Sequence, residues 1–405
     1  MKFSHLADCH IGSFKEPKLS KLSTNAFLTA IDLSIKKDVD FILISGDLFN
    51  TALPQIDKLK SVVLKLKELK DNQIPVYIVA GSHDFSSTGK TMLDVLEAAG
   101  LVINVTRGKI KNEKLFLDFT IDSKTGAKIT GMLGRKGTLE KNYYKDLDLT
   151  NLETQDGFKI FMFHSAISEL KPKYLELMDS IALSNLPKNF NYYAGGHVHE
   201  VIEYSDSNYK NVIFPGPIFP NNFKEIEKLN HGGFYIYDDG KITFEKIILH
   251  DVISINLNCE NLTPKEINLK LNAYIDENKK KFYEKIITMR LFGKINGGKI
   301  YEINLNEVID RFYEYGAYFV MKNASMLVTI DFQEIKTKEE SISEIEDKTI
   351  KEHLTQIPIN TTNEFDFTKK LMDVFSIEEN EDEKKSDFES RIKEEADLLI
   401  KNLLK

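Results

Sequence analysis

Cysteine is scarce in this chain, and tryptophan is absent. The 405 residues include two cysteines, Cys9 and Cys259, which lie far apart in the sequence. Two distant cysteines exclude the dense disulfide framework on which many small secreted domains depend. The composition therefore favours a reducing compartment, and we expect a cytoplasmic protein.

Long apolar runs are also missing. No run approaches the roughly 20 residues that a membrane-spanning helix needs. The opening residues, MKFSHLADCH, follow a strand pattern and lack the charged-then-apolar order of a secretory signal. The sequence thus predicts neither a membrane segment nor an export signal.

An excess of positive charge is the third absence, since the net charge is −8. Residues 336–405 hold 19 acidic and 12 basic side chains, which accounts for most of that charge. The preceding residues are nearly neutral, so a local DNA-binding surface is allowed, although no basic stripe indicates one.

Strand and helix patterns alternate through residues 1–250. Apolar runs such as FILIS, VYIVA and KIFMF are typical of buried strands, and helical patterns cover residues 23–37 and 56–71. This alternation predicts a layered α/β domain. Residues 251–335 have the pattern of a smaller α+β domain, residues 336–363 are polar and predict a linker, and residues 364–405 predict helices with an apolar stripe.

The stretch GSHDFSSTGKT raises the question of a nucleotide-binding loop. A phosphate-binding P-loop needs a glycine five positions before its Gly-Lys-Thr. Asp84 occupies that position, and its carboxylate would face the phosphate. We therefore predict a helix start instead, capped by a serine or threonine of this stretch and ended by Gly100.

Polar side chains that suit metal binding follow several predicted strands. They are Asp8, His10, Asp47, Ser82, His83, His164, His197 and His199. Side chains two apart on a strand point the same way, so the D-x-H and H-x-H pairs can each reach one site. Mixed histidine and carboxylate ligands suit manganese, iron or zinc, and their number predicts two ions sharing one carboxylate.

These motifs occur in the order D-x-H, G-D, G-S-H-D, H and G-H-x-H. In this order they resemble the calcineurin-like metallophosphoesterase superfamily. The forms HLADCHIG, SGDLFN and GGHVHE followed by FPGPIFPNNF resemble the SbcD-type double-strand-break repair nucleases, including their archaeal and eukaryotic counterparts. The resemblance implies a β-sandwich flanked by helices over residues 1–250, a DNA-capping domain over 251–335 and a segment over 364–405 that binds a partner.

The resemblance also assigns metal ligands. It implies two manganese ions per chain. Asp8, His10 and His199 would hold one ion, and His164 and His197 would hold the other.

Three further positions complete the implied site. Asp47 would bridge the two ions. His83 would not bind metal and would face the scissile phosphate as the general acid or as a stabiliser of the transition state. Ser82 stands where the family usually has an asparagine ligand, so we expect weaker binding of the second ion, which a manganese titration of Ser82→Asn would check. Asn50 stands where many members have a second histidine, which leaves open how His83 is positioned.

The activity implied is that of a manganese-dependent DNA nuclease, with 3′-to-5′ exonuclease and single-strand endonuclease action on double-strand breaks. The implied assembly is a nucleoid-associated homodimer bound to a coiled-coil SMC-like ATPase. Two alternatives remain open at this point. One is a metallophosphoesterase that acts on a nucleotide or phosphoprotein, and the other is a DNA-binding scaffold with a weakened metal site.

Overall fold

A computed structural model of the chain describes residues 1–86, 89–135, 141–329, 346–347, 349–350, 364–377 and 385–403. The chain divides into two compact units, Met1–Ile330 and Asp331–Lys405. The strands of the first unit are β1 Lys2–Leu6, β2 Phe41–Ser45, β3 Val76–Val79, β4 Ile103–Asn104, β5 Gly108–Lys111, β6 Lys114–Leu117, β7 Thr120–Ile121, β8 Lys128–Met132, β9 Lys159–His164, β10 Tyr192–Gly196, β11 Ile202–Tyr204, β12 Val212–Phe214, β13 Gly232–Asp238, β14 Lys241–Ile247, β15 Val252–Asn258, β16 Ile286–Ile295 and β17 Phe319–Thr329. Its helices are α1 Pro17–Lys36, α2 Ile56–Asp71, α3 Met92–Ala98, α4 Lys141–Lys145, α5 Leu149–Glu153, α6 Phe223–Leu229, α7 Pro264–Asn278 and α8 Leu305–Glu314.

Two six-stranded sheets form the main lobe, residues 1–247. Their strand orders are β14-β13-β1-β2-β3-β4 and β11-β12-β10-β9-β8-β7. Alternate residues of each strand point to opposite faces. Phe3 and Phe41 of the first sheet therefore join Met162 and Tyr192 of the second in one buried cluster between the sheets. The predicted layered α/β fold is confirmed.

Helices cover the outer face of the first sheet. α1, α2 and α3 bury residues such as Phe27 and Leu66 against Ile42 and Ile44 of β2. Burial of each such side chain stabilises the fold by roughly 1.5–3 kcal/mol. α2 has the bounds that its apolar pattern predicts. α1 begins earlier than expected because Pro17 supplies a favourable first helical residue.

The GKT stretch begins a helix and not a P-loop. Thr91 is the N-cap of α3, and its side chain accepts a hydrogen bond from the backbone of Asp94. Gly100 follows the helix with φ of 66°, a left-handed conformation that favours glycine. The capped helix start is therefore confirmed.

The small lobe, residues 252–329, has the order β15-α7-β16-α8-β17. All three strands are parallel. Parallel strands need crossover connections, and α7 and α8 supply them. The pattern that predicted an α+β domain thus forms a βαβαβ arrangement with its own buried cluster, which includes Ile267, Met289 and Phe312.

The second unit contains helices α9 Glu364–Phe375 and α10 Lys385–Leu403, which contact each other. The predicted apolar stripe of α10 consists of Phe388, Ile392, Leu399 and Leu403. The first three are half-buried, and the side chain of Leu403 lies outside the described part of the chain. Most of the predicted linker, residues 336–363, lies outside the described residues. Among the described helices, none is long and apolar enough to cross a membrane.

Candidate metal centre

The polar residues singled out from the sequence converge at one edge of the two sheets. β1, β2 and β3 are parallel, and so are β9 and β10, so their carboxyl ends share an edge in each sheet. The loops after these strands carry seven of the eight residues, and the last residue of β9 is the eighth, His164.

The convergence depends on turns rather than on strand alternation. β1 ends at Leu6, so Asp8 and His10 lie beyond it with φ of 49° and 40°. Asp47 and His197 also have positive φ, at 50° and 86°. The expectation that the paired side chains point together because they lie on strands was therefore wrong. Left-handed turns, which cost strain at non-glycine residues, aim these side chains instead.

One half of the centre contains Asp8, His10 and His199, whose candidate ligand atoms all lie within 4.8 Å of one another. Nε2 of His10 is 3.1 Å from Nε2 of His199. Nε2 of His199 is also 3.8 Å from Oδ1 of Asp8. Burial raises the pKa of Asp8 to about 6 and lowers the pKa of His10 to about 3. This half is the set that the family resemblance assigns to one ion.

The other half is built around Asp47. Its Oδ2 lies 3.2 Å from Nε2 of His164 and 3.6 Å from Nε2 of His10. Burial opposes the charging of both Asp47 and His164. Their mutual attraction outweighs this, so the pKa of Asp47 lies well below its usual range and that of His164 rises to about 10. Oδ2 of Asp47 therefore faces both halves, as a bridging carboxylate must.

His197 lies beside this second half. Its ring centroid is 5.1 Å from that of His164, and its backbone N–H donates to both carboxylate oxygens of Asp8 at 3.0 and 3.1 Å. Burial lowers its pKa to about 4, and the charge of His164 adds to the effect. The imidazole is therefore neutral, the state in which it can bind a metal.

The donor set fits divalent cations. Nε2 of His10 and Nε2 of His199 face each other at 3.1 Å, so a cation at this position would have two imidazole ligands. Nδ1 of His10 is buried and has no hydrogen-bond partner among the described residues. The tight carboxylate–imidazole contact of Asp47 and His164 likewise gives a cation two ligands.

His83 is held by a backbone carbonyl. Its ring Nδ1 is 2.9 Å from the carbonyl oxygen of Asn50. Its backbone N–H donates a hydrogen bond to Oδ1 of Asp47 at 2.7 Å. A carbonyl can only accept, so Nδ1 carries the proton and Nε2 is left for other partners. This contact answers the question that Asn50 raised, because its backbone and not its side chain orients His83.

We predict that Asn50→Ala changes phosphodiester turnover less than about twofold, because the carbonyl that orients His83 survives the substitution. Turnover should be measured against wild type at saturating metal. A loss comparable to that of a His83 substitution would show that the Asn50 side chain has a role in catalysis.

Asp84 is a buried residue whose role in the site was missed. Its Oδ2 accepts hydrogen bonds from the backbone N–H groups of Asp47 at 3.0 Å and Gly81 at 2.9 Å. It thereby fastens the loop after β3 to the loop after β2. Gly81 is required here, since a Cβ would lie 2.3 Å from Oδ1 of Asp47. Ser82 lies between Gly81 and Asp84 in the sequence. Its side chain is half-buried and lines a cavity over the metal centre.

Glu225, on α6, was also missed. Its Oε1 lies 3.0 Å from Nδ1 of His199, and its Oε2 accepts from the N–H of Asn221 at 2.8 Å. Burial of His199 opposes a proton, but Glu225 outweighs it and raises the pKa of His199. A carboxylate behind a metal-binding histidine fixes the ring and its tautomer. The N-x-x-E spacing from Asn222, its capping partner, was the available signal.

We predict that Glu225→Gln weakens metal binding by roughly 10- to 100-fold, the usual effect of losing such a carboxylate. The amide keeps the size of the side chain but cannot hold the charge behind His199. Metal titration followed by calorimetry measures the change. Glu266→Gln is the matched control, because Glu266 occupies the equivalent capping position of α7 in the small lobe. Equal weakening in both variants would count against the positioning role.

The comparisons with known proteins agree with this geometry. Residues 1–201 match the family model of the calcineurin-like phosphoesterases, so this chain carries a calcineurin-like phosphoesterase domain, and the family recognised from the sequence motifs is confirmed. Curated relatives are named DNA double-strand break repair protein Mre11. The one from Archaeoglobus fulgidus is 27% identical over 56% of this chain and 52% of its own length. The one from Methanococcus maripaludis is 26% identical over 85% of this chain and 92% of its own length. The one from Methanocaldococcus jannaschii is 28% identical over 73% of this chain and 76% of its own length.

Proposed function

We propose that this chain is a manganese-dependent DNA nuclease that processes double-strand-break ends, with 3′-to-5′ exonuclease and single-strand endonuclease activity. One observation carries the proposal. Two carboxylates and three imidazoles converge on a candidate two-metal centre, with the His197 ring next to that of His164 and with His83, whose tautomer is fixed, beside them. The names of the archaeal relatives support DNA as the substrate.

Each residue of the centre has a role in this proposal. Asp8, His10 and His199 would hold one ion, and His164 and His197 would hold the other. Asp47 would contact both, and Ser82 would contribute a weak ligand to the second, either through its hydroxyl or through a water. When bound, the cations supply a water nucleophile at neutral pH and neutralise charge on the phosphoryl oxygens.

His83 provides the proton for the leaving group. With Nδ1–H donating to Asn50, a protonated His83 carries its second proton on Nε2. As the phosphorus–oxygen bond breaks, Nε2–H donates to the departing oxygen, and His83 is left neutral. The backbone carbonyl keeps the ring facing the same way through both protonation states.

The first test is cleavage of end-labelled duplex DNA and of circular single-stranded DNA in manganese, magnesium or EDTA. Manganese-dependent cleavage of both substrates is the expected result. Hydrolysis of only a nucleotide or phosphoprotein would assign the centre to another phosphoesterase. DNA binding without any turnover would favour a scaffold with a weakened metal site.

The other parts of the chain have roles in the same proposal. The small lobe would cap bound DNA, and residues 364–403 would dock on a coiled-coil SMC-like ATPase. The homodimer is proposed from the family resemblance, with Leu53, Ile56 and Leu64 as exposed apolar candidates for its interface. Light scattering on the full chain distinguishes a dimer from a monomer.

Deleting residues 336–405 should leave a folded nuclease that no longer binds the ATPase. The prediction follows because Met1–Ile330 is a compact unit with its own buried clusters. Pull-down with the partner's coiled coil and a nuclease assay measure the two properties. Phe375→Asp in the full chain is the point variant to compare, since Phe375 is 64% exposed on α9. Retained binding by the truncated chain would contradict the docking role.

A further inference from the structure

A buried polar network crosses between the two sheets next to the metal centre. His5 on β1 and Ser45 at the end of β2 belong to the first sheet, and Tyr192 on β10 belongs to the second. Nδ1 of His5 is 3.1 Å from the Tyr192 hydroxyl, and its Nε2 is 3.0 Å from Oγ of Ser45. The Ser45 hydroxyl also donates to the carbonyl of Ala194 on β10 at 2.9 Å. The proposed hydrolysis uses none of these side chains.

The network is closed to water. The side chains of His5, Ser45 and Tyr192 are fully buried. Burial lowers the pKa of His5 to about 3, although a hydrogen bond to the backbone of Gly195 opposes the shift, so the imidazole is neutral at neutral pH. Both ring nitrogens have hydroxyl partners, which suits the one donor and one acceptor of a neutral imidazole. Removing one member would leave the others buried without a partner, so the network holds the two sheets in one relative position.

Ser45 connects this network to a candidate metal ligand. Its backbone carbonyl oxygen lies 2.8 Å from Nδ1 of His164, while Nε2 of the same ring lies 3.2 Å from Oδ2 of Asp47. A carbonyl can only accept, so Nδ1 of His164 carries a proton and Nε2 is the nitrogen that faces the centre. His164 comes from the second sheet, and both of its partners come from the first sheet or the loop that follows it.

Glycines allow backbone from both sheets to pack against this ring. A Cβ at Gly46, which follows β2, would lie 2.1 Å from Nδ1 of His164. A Cβ at Gly196, the last residue of β10, would lie 2.9 Å from the same atom. The orientation of the His164 ring therefore depends on how the two sheets are held at this edge.

We propose that His5 is a positioning residue for the metal centre, which acts through Ser45 to hold the His164 ring against Asp47. Its effect reaches the ion through the network between the sheets and not by coordination. The inference rests on the proposed function only in taking His164 as a metal ligand. The orientation of the ring can be measured without metal, and this separates the two.

The first test is the imidazole N–H signal of His164 in metal-free protein that carries ¹⁵N at its histidines. The signal is identified by its absence from His164→Gln. Because Nδ1–H is buried and bonded to the Ser45 carbonyl, it should exchange slowly with water in wild type. His5→Leu offers no polar atom to the network, so this exchange should become roughly tenfold faster, the effect of one lost buried hydrogen bond. His5→Gln, whose amide keeps a donor and an acceptor, should recover most of the protection.

Tyr192→Phe tests the same role in a variant that keeps its packing. It removes one hydroxyl of the network and should also speed the exchange of the His164 signal. Tyr77→Phe is the matched control, because Tyr77 belongs to the same cluster between the sheets and its hydroxyl bonds to Asp122 instead. The control should lose thermal stability like Tyr192→Phe while changing the exchange by less than about twofold.

The second test is titration with manganese followed by calorimetry. His5→Leu should weaken the binding of one ion by roughly tenfold, the lower end of the range for residues that support metal ligands. The other ion should bind within about twofold of wild type. Unchanged exchange and unchanged metal binding in both His5→Leu and Tyr192→Phe would overturn the positioning role. Faster exchange in these variants, with no metal bound by wild type, would refute the proposed two-metal function and leave His5 as the residue that holds the His164 ring.

Discussion

The His83→Ala variant is expected to bind two divalent ions per chain and to cleave DNA roughly 10²- to 10⁴-fold more slowly than wild type, the range for loss of a general acid. The size of the effect follows from position. His83 lies beside the cluster, with its ring centroid 4.8 Å from that of His10. Its Nδ1 is engaged by the Asn50 carbonyl, so Nε2 is the nitrogen that can serve the leaving group.

The measurement is single-turnover cleavage at saturating metal, together with metal content by mass spectrometry. His231→Ala is the comparison variant, since His231 is a histidine of the same lobe whose Nδ1 contacts the carbonyl of Gly232 outside the cavity. Loss of metal from the variant would instead identify His83 as a ligand, since its ring lies within ligand distance of His10 and Asp47. Full activity would remove His83 from the mechanism.

Asp47→Asn is expected to reduce DNA cleavage by about 10³-fold or more, because a shared metal ligand supports several kcal/mol of charge stabilisation and each 1.36 kcal/mol is a factor of ten. The amide fills the same space but carries no charge. His164 then loses the carboxylate that raises its pKa, and the buried imidazole becomes neutral. The variant should therefore lose metal as well as turnover.

Metal titration and cleavage should both be followed in this variant. Asp122→Asn is a suitable control because Asp122 is also fully buried and accepts from the hydroxyl of Tyr77, away from the centre. Two ions bound with unchanged affinity in Asp47→Asn would show that Asp47 does not join the two halves. A loss of metal in both variants would indicate a general effect of buried charge on stability.

The sequence was informative about which side chains meet and less so about how they are held. Asp8, His10 and Asp47 could be singled out because each follows an apolar strand, and parallel strands end at a common edge. The turns that aim them could not be foreseen, since positive φ at an aspartate or histidine has no reliable signal in composition. The layered fold followed from the alternation of strand and helix patterns.

Contacts through the backbone explain most of what the sequence did not reveal. The backbone carbonyl of residue 50 orients His83 whatever the side chain of that residue is. The sequence shows only that Asn50 replaces a histidine, so it left the positioning of His83 open. Asp84 accepts hydrogen bonds from backbone N–H groups of two loops. Every residue type except proline has such a group, so the sequence does not identify these partners. Glu225 lies 26 positions from His199, and only the fold brings the two together.

The seven-residue helix α6 connects the small lobe to the metal centre. Glu227 forms a two-pronged ion pair with Arg290 of β16, at 2.7 and 3.0 Å, while Glu225 faces the opposite way onto His199. Charged hydrogen bonds of this kind are worth about 1.5–3 kcal/mol each. Through two carboxylates on opposite sides of one short helix, the His199 ring and β16 of the small lobe thus share a single support.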